Sequence, residues 1–448
     1  MKKILIRGHM SPFDNWDAAA VLDRDLIGTN SGNLIFLNSI IRILMTEETQ
    51  IDIWDTRYDT SDKEIDRINE EYDCVVLPFA NAFRLTYQSE MQKITAVVKK
   101  LKIPCIVVGV GISVSLKRGL QTSYPFDDTV KEFVKAVLDK SAVIGTRGAF
   151  TSEYLKQLGF KEGSEHCVIG CPSMFWYGAD LPQIEKKMLT EDSAVSINWK
   201  MDVPREIHEF MRGNIPYFHD LCYVPQVTDE LRLMYYGIPF PEGKYVIPKK
   251  YPGKVNHPWY CEDRARGFIN VKSWLEYMRK KDFSFGTRIH GNIAALLAGT
   301  PAFIVASDYR IRELAEYHEI PHINYNELEK SQNVFELYGQ ADYSGYNRGH
   351  RARFENYVGF LEQNGLDHIF QKNSETVVPY DEKMDELSLQ PPLRPFMAVS
   401  QKEQGKRLAE LQARYLRMES NYLSLKPLEP ILPVYRGAKK IKNIFVKE

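Results

Sequence analysis

Short apolar and β-branched runs recur along the chain, separated by stretches whose apolar positions repeat at helical spacing. Lys3–Ile6, Ile51–Trp54, Cys74–Leu77, Cys105–Val110, Ala142–Gly145 and Cys167–Ile169 read as strands. Their near-continuous apolar character suits a sheet covered on both faces. Amphipathic segments at Leu34–Met45, Met91–Leu101, Thr129–Leu138 and Ala149–Leu158 alternate with them as helices. A second series begins at Ala194-Val195-Ser196-Ile197 and continues through Leu221–Val224, Phe283–Phe285, Ala302–Val305 and Ile323–Tyr325. Helical patterns at Pro204–Met211, Thr228–Tyr236 and Val271–Lys280 separate those strands. Such alternation predicts parallel sheets. The expected fold class is therefore α/β: two Rossmann-like domains, 1–180 and 190–375, whose carboxyl edges face each other across a cleft.

Two regions break the alternation. The polar stretch from Pro239 to Asp263, rich in Pro, Gly, Lys and Tyr, reads as an insertion or active-site loop. Residues 376–448 read as linker, helix and basic tail: Pro391-Pro392-Leu393-Arg394-Pro395 is stiff, and Lys402–Leu423 has the pattern of one long helix. The end, Arg436 to Lys447, interleaves basic and apolar residues. It reads either as a solvated tail or as a peripheral membrane contact.

Candidate chemistry concentrates where strands run into helices, which is where open α/β sheets bind ligands. Gly286-Thr287-Arg288-Ile289-His290-Gly291 follows the Phe283–Phe285 strand and leads into the apolar helix Asn292–Gly299. A cation, an imidazole and a helix amino terminus would converge there on an anion. The alternative is that Arg288 pairs with a structural carboxylate and His290 is a satisfied imidazole. Arg147, in Thr146-Arg147-Gly148, occupies the matching place in the first half. Two strand-end arginines facing each other would suit a small ligand bearing carboxylate and phosphate, since guanidinium forks bind both. Asn30-Ser31-Gly32-Asn33 precedes a helix and offers either amides for hydroxyl recognition or ordinary caps. Asp308, Arg310, Arg312 and Glu313 lie after the Ala302–Val305 strand, either near the cleft or paired along their own helix.

Composition removes other classes. In 448 residues the hydrophobic share is 44%, the charged share 26% and the net charge −1, so no overall field draws the chain to nucleic acid or membrane. The start, Met1-Lys2-Lys3-Ile4-Leu5-Ile6-Arg7, is a first strand rather than a signal peptide, and no apolar run has the length of a membrane span. The 6 cysteines form no CxxC pair and suggest reduced thiols in a cytoplasm. There is no P-loop, no GxGxxG after the first strand, no HExxH, no GxSxG and no acidic cluster at metal-ligand spacing. The expectation is a cytoplasmic protein with no metal, no nucleic-acid partner and no resident cofactor.

At these residues the chain resembles the polysaccharide pyruvyltransferase family. The likeness runs through Asn30-Ser31-Gly32-Asn33, then Val107 to Gly111 with Gly145 to Thr151 and Leu155 to Gly159. It continues through Val168-Ile169-Gly170-Cys171-Pro172-Ser173 and Gly286 to Gly291, on to Ala294, Leu297 to Pro301 and Asp308-Tyr309-Arg310. Cys171 stands where the family often has Asp before Pro, and Asn33 where relatives often carry Asp. The resemblance implies a two-domain fold of the glycosyltransferase-B type and transfer of the enolpyruvyl carbon of phosphoenolpyruvate onto sugar hydroxyls as a ketal, in bacterial-type surface polysaccharide synthesis. It implies that Arg147, Arg288, His290 and Arg310 bind the donor. His290 would be its general acid as a histidinium, with Arg288 beside it in catalysis. Asn30 and Asn33 would face the acceptor sugar, which the basic tail makes a candidate for a lipid-linked oligosaccharide at the inner membrane face. Two other readings stand beside it: a nucleotide-sugar glycosyltransferase in the same cleft, and a non-catalytic carbohydrate-binding scaffold.

Overall fold

In the computed structural model, which describes residues 1–329, 331–371 and 378–425, the alternation resolves into two parallel sheets. The first contains β1 (Lys2–Arg7), β2 (Thr49–Trp54), β3 (Cys74–Pro78) and β4 (Cys105–Val108) in the order β2-β1-β3-β4. A pair formed by β5 (Ile144–Thr146) and β6 (His166–Val168) extends it through a bridge between Val110 and Thr146. The second contains β7 (Val195–Asn198), β8 (Leu221–Tyr223), β9 (Phe283–Gly286), β10 (Ala302–Ala306) and β11 (His322–Asn324), ordered β11-β10-β9-β7-β8. Both halves wind the same way: the second strand lies outside the first, and the third lies on the first strand's other side. The order reverses between β1 and β3 and again between β7 and β9. Crevices open at such points.

One helix ties the halves together. Every residue of Gly32–Leu44 except Asn33 is buried, as expected of a helix apolar around most of its circumference. It packs against the helices Ile289–Leu297 and Val271–Met278 from the second half and Pro379–Asp385 from the carboxyl-terminal segment. One core cluster therefore runs from Ile4 and Ile40 through to Ile197, Ala295 and Phe354.

The chain then crosses back. The helix Ser344–Gln363 lies against the first half, where Asn356 Nδ2 donates to the Val168 carbonyl (2.6 Å) and Asn364 Oδ1 accepts from Ala142 and Val143. Arg42 grips Asp381 at 2.9 and 2.6 Å. The Pro391–Pro395 segment is a fastened strap rather than a free spacer, because Leu393 is buried and exchanges backbone hydrogen bonds with Gly267 at 3.0 and 2.8 Å. The final helix, Gln401–Leu425, is anchored by Arg407, stacked 3.8 Å over Tyr235. The basic stretch Arg436 to Lys447 lies outside the described residues. Among those, no helix is long and apolar enough to cross a membrane, and the 6 cysteines are unpaired.

A second interdomain link is polar. Glu313, on the helix Tyr309–Tyr317 of the second half, reaches the amino terminus of Ala149–Gln157 in the first. It accepts from Thr151 N at 2.8 Å and Thr151 Oγ1 at 2.7 Å, all of it buried. Gly148 admits the contact, since a Cβ there would stand 2.7 Å from Glu313 Cβ. The carboxylate thus satisfies an orphan helix N–H and the hydroxyl beside it.

Removing either partner strands a buried polar group. Glu313→Gln and Thr151→Ala should each lower the unfolding free energy by about 1–3 kcal/mol, and their sum should exceed the double mutant's loss, measured by denaturant titration. Burial raises the Glu313 pKa from 4.5 to about 7, against the pull of Thr151 and Arg147. Ionising it therefore costs stability as pH climbs through that window, and Glu313→Gln should flatten the decline.

Candidate functional site

The carboxyl edges of both sheets line one cleft of about 750 Å³. On the second half its wall is the Gly286–Gly291 turn, and the sequence there follows from crowding. Gly286 has φ +145°, and a Cβ at that point would collide with the Asn198 carbonyl at the end of β7. The turn is fastened by Asn198 Oδ1 accepting from Arg288 N (2.7 Å), the Asn198 carbonyl accepting from Thr287 N (2.9 Å), and Thr287 Oγ1 accepting from Lys200 N (2.9 Å). A Cβ on Gly291 would meet the Gln226 amide.

This turn aims Arg288 and His290 in different directions. Arg288 Nη2 donates to Glu230 Oε1 at 2.9 Å, with both side chains buried. The same carboxylate accepts from Tyr251 Oη (2.6 Å) and from the backbone N–H groups of Gln226 and Val227. Burial opposes the Arg288 charge most strongly, but Glu230 together with Tyr251, Tyr223 and Asp202 outweighs it and the pKa rises. Arg288 and Arg147 both line the cleft, one from each half. Arg288 lines the cleft as half of a buried ion pair, the alternative its sequence setting left open. Tyr251 reaches this network from the Pro239–Asp263 insertion, which serves as its backing.

His290 lies against the helix Gly32–Leu44, so closely that a Cβ on Gly32 would stand 2.8 Å from His290 Cβ and 2.9 Å from Nδ1. Its Nε2 is 3.7 Å from Cys171 Sγ. A thiol thus faces the ring where a carboxylate would favour its charge. Burial, followed by the charges of Arg147 and Arg310, lowers the His290 pKa to about 3. Without a ligand these influences favour the neutral imidazole over the histidinium.

The cations that gather here are Arg147, Arg310 and Arg84, the last unforeseen. Arg147 is 1% exposed, and its Nε and Nη2 have no partner. Burial and the neighbouring Arg310 lower its pKa to about 10, so it stays charged near neutrality. Arg310 makes a long contact with Asp308 (3.3 Å) and leaves Nε unpartnered. Arg84, just past the loop after β3, also has an unpartnered Nε; burial and then Arg310 lower its pKa. With its oxygen turned inward, Asn81 accepts from both Arg84 and Arg310. Of the group after β10, Arg312 points away and pairs with Glu316 along its own helix, at 2.6 Å. Buried guanidinium groups with unpaired N–H donors form a preorganised anion site.

Asn30 and Asn33 also line the cleft, but their amides serve the turn they belong to. Asn30 Oδ1 accepts from Gly32 N (2.8 Å), and Asn33 Nδ2 donates to the carbonyls of Ile27 and Gly28. Asn30 additionally bridges to Val227 across the domain boundary. No cluster of metal-ligating side chains occurs among the described residues.

A family model described as polysaccharide pyruvyl transferase matches residues 30–309. No curated protein matches the chain in sequence. Solved structures with related backbones include the UDP-GlcNAc 2-epimerase of Methanocaldococcus jannaschii in complex with UDP-GlcNAc and UDP, at 13% identity and a TM-score of 0.44, covering 81% of this chain and 99% of that one. An uncharacterised protein of Klebsiella pneumoniae aligns at 12% identity and 0.39, covering 74% and 92%. Phage T4 BGT with UDP-glucose aligns at 12% and 0.36, covering 82% and 100%.

The two kinds of arginine should separate in stability measurements on the ligand-free protein. Glu230→Gln, which strands the buried Arg288 charge, should cost about 3–5 kcal/mol. Arg310→Met, which removes one of several like charges, should leave the unfolding free energy unchanged or raise it.

Proposed function

Because the chain belongs to the polysaccharide pyruvyl transferase family, we propose that it moves the pyruvyl group of phosphoenolpyruvate onto sugar hydroxyls as a ketal, with Arg84, Arg147 and Arg310 as the donor's anion site. The observation that carries this reading is the set of buried, unpartnered guanidinium N–H groups of Arg84, Arg147 and Arg310 lining the cleft, where Arg288 Nε is unpartnered too. Phosphoenolpyruvate places a carboxylate and a phosphate on one small skeleton. Its recognition needs converging cations more than apolar area. The remaining cleft volume receives the acceptor sugar, beside the Gly28–Asn33 turn. The acceptor belongs to a surface polysaccharide, and the basic, apolar-interleaved sequence from Arg436 to Lys447 suits one presented at a membrane face.

Burial first, and then the charges of Arg147 and Arg310, keep His290 neutral when no donor is bound. A donor phosphate or carboxylate between them cancels that repulsion, so the imidazole gains a proton as the donor binds. The proton then lies beside the methylene carbon that must become a methyl group. Arg147 and Arg310 stabilise the departing phosphate, and the Arg288–Glu230 pair holds the turn that carries His290.

Incubation with phosphoenolpyruvate and candidate sugar acceptors should release inorganic phosphate and add one pyruvyl unit, with loss of water, by mass spectrometry. Release of a nucleoside diphosphate from a nucleotide sugar would instead identify a glycosyltransferase. Alanine at Arg84, Arg147 or Arg310 should each weaken phosphoenolpyruvate binding roughly 10- to 100-fold, the loss expected for a charged hydrogen bond. Calorimetry at pH 7 in two buffers of different ionisation enthalpy should register proton uptake on donor binding, absent in His290→Asn. Binding without proton uptake in the wild type would remove His290 from the acid role.

A further inference from the structure

A second imidazole lines the same cleft, and the anion cluster does not use it. His9 lies two residues past the end of β1, where the sheet order reverses. Its Nδ1 stands 3.1 Å from Asp55 Oδ1, and Asp55 follows directly on β2. Asp55 is in turn gripped by Arg57 through contacts of 3.0, 3.0 and 2.6 Å. Arg57 donates to the Arg24 and Asp25 carbonyls, which fixes the carboxylate to the fold. Nδ1 makes no aligned hydrogen bond to Asp55 in the ligand-free chain, but a carboxylate held at this distance can orient an imidazole through one nitrogen and leave the other for chemistry.

The position of the ring matters as much as its partner. Gly28 has φ +57°, and a Cβ there would lie 2.8 Å from His9 Nε2 and 2.5 Å from Cδ2. Gly32, at the other end of the same turn, makes the equivalent close approach to His290. The two imidazoles thus flank one short turn. His290 stands beside Arg147 and Arg310, and His9 stands beside Asp55, Arg57 and Arg7. Burial lowers the His9 pKa below 6.5, opposed by Asp55 and assisted by Arg57 and Arg7, so the ring is neutral near pH 7.

We propose that His9 is the general base that accepts the proton of the attacking sugar hydroxyl, with Asp55 as its positioning residue. The inference rests on the donor reading given above. As the hydroxyl oxygen bonds to the central carbon of the donor, its proton passes to His9 and the double-bond electrons take a proton at the methylene carbon. The second hydroxyl then displaces phosphate from the same carbon. Over the whole reaction one hydroxyl proton's equivalent ends on the methyl group and the other leaves as hydrogen phosphate, so charge and atoms balance.

The test measures phosphoenolpyruvate affinity and ketal formation separately. His9→Asn and His9→Ala should bind phosphoenolpyruvate as the wild type does, while kcat for ketal formation falls about 10²- to 10⁴-fold, the usual contribution of a positioned base. Added imidazole should restore part of the His9→Ala rate, which a purely structural role would not allow. Asp55→Asn should lower kcat without weakening donor binding. Near-normal turnover by His9→Asn would overturn the assignment, as would loss of donor affinity and turnover together in both folded His9 variants. A wild-type protein that binds no phosphoenolpyruvate would instead overturn the donor reading, and the base with it. If His9→Ala fails to fold, His9→Asn carries the test, because its amide can still donate to Asp55.

Discussion

The site depends on one buried carboxylate. Glu313 belongs to the second half yet completes the amino terminus of a helix in the first, through both the backbone and the hydroxyl of Thr151. That helix begins two residues after Arg147, and Arg310 sits one turn before Glu313 on its own helix. Docking the carboxylate therefore forces two guanidinium groups toward each other in a low-dielectric space. Burial, and after it the charge of Arg310, lower the Arg147 pKa. Without the interdomain fastening, the like charges would favour separation. The fold thus holds a cation cluster that, in the absence of ligand, works against the assembly that contains it.

The same logic explains why His290 and Arg288, neighbours on one turn, differ in state. Arg288 meets Glu230 and keeps its charge; His290 is buried beside a thiol and two guanidinium groups, and loses its own. Strain at functional positions is often compensated elsewhere in a structure. Here part of it is electrostatic, held in unpaired donors, and an arriving anion is what would relieve it.

Much of this was legible in the sequence. Parallel strands buried on both faces read as plain apolar runs, so the strands of both halves and the cleft at their carboxyl edges could be anticipated, and the family model agrees with the resemblance seen in Gly286 to Gly291 and its companions. Helices with narrow stripes were harder: Asp62–Glu71 buries only Ile65 and Ile68, and Ser344–Gln363 packs through scattered aromatic residues in a polar sequence. Arg147, His290 and Arg310 were found because strand ends mark ligand sites. Arg84 was not, since it lies in an irregular loop with no motif. The His9–Asp55 pair was hidden by distance along the chain; only the side-by-side pairing of β1 and β2 brings the two together. The fate of Arg288 turned on Glu230, whose place near the cleft no local pattern announces.

The proposed donor is a small dianionic or trianionic molecule rather than a nucleotide. Parallel calorimetric titrations of the wild-type protein with phosphoenolpyruvate and with a UDP-sugar test it most directly. Saturable binding of phosphoenolpyruvate that Arg147→Ala weakens, with no binding of the UDP-sugar at the same concentrations, is the expected result. Saturable binding of the UDP-sugar, with phosphoenolpyruvate inert, would contradict it.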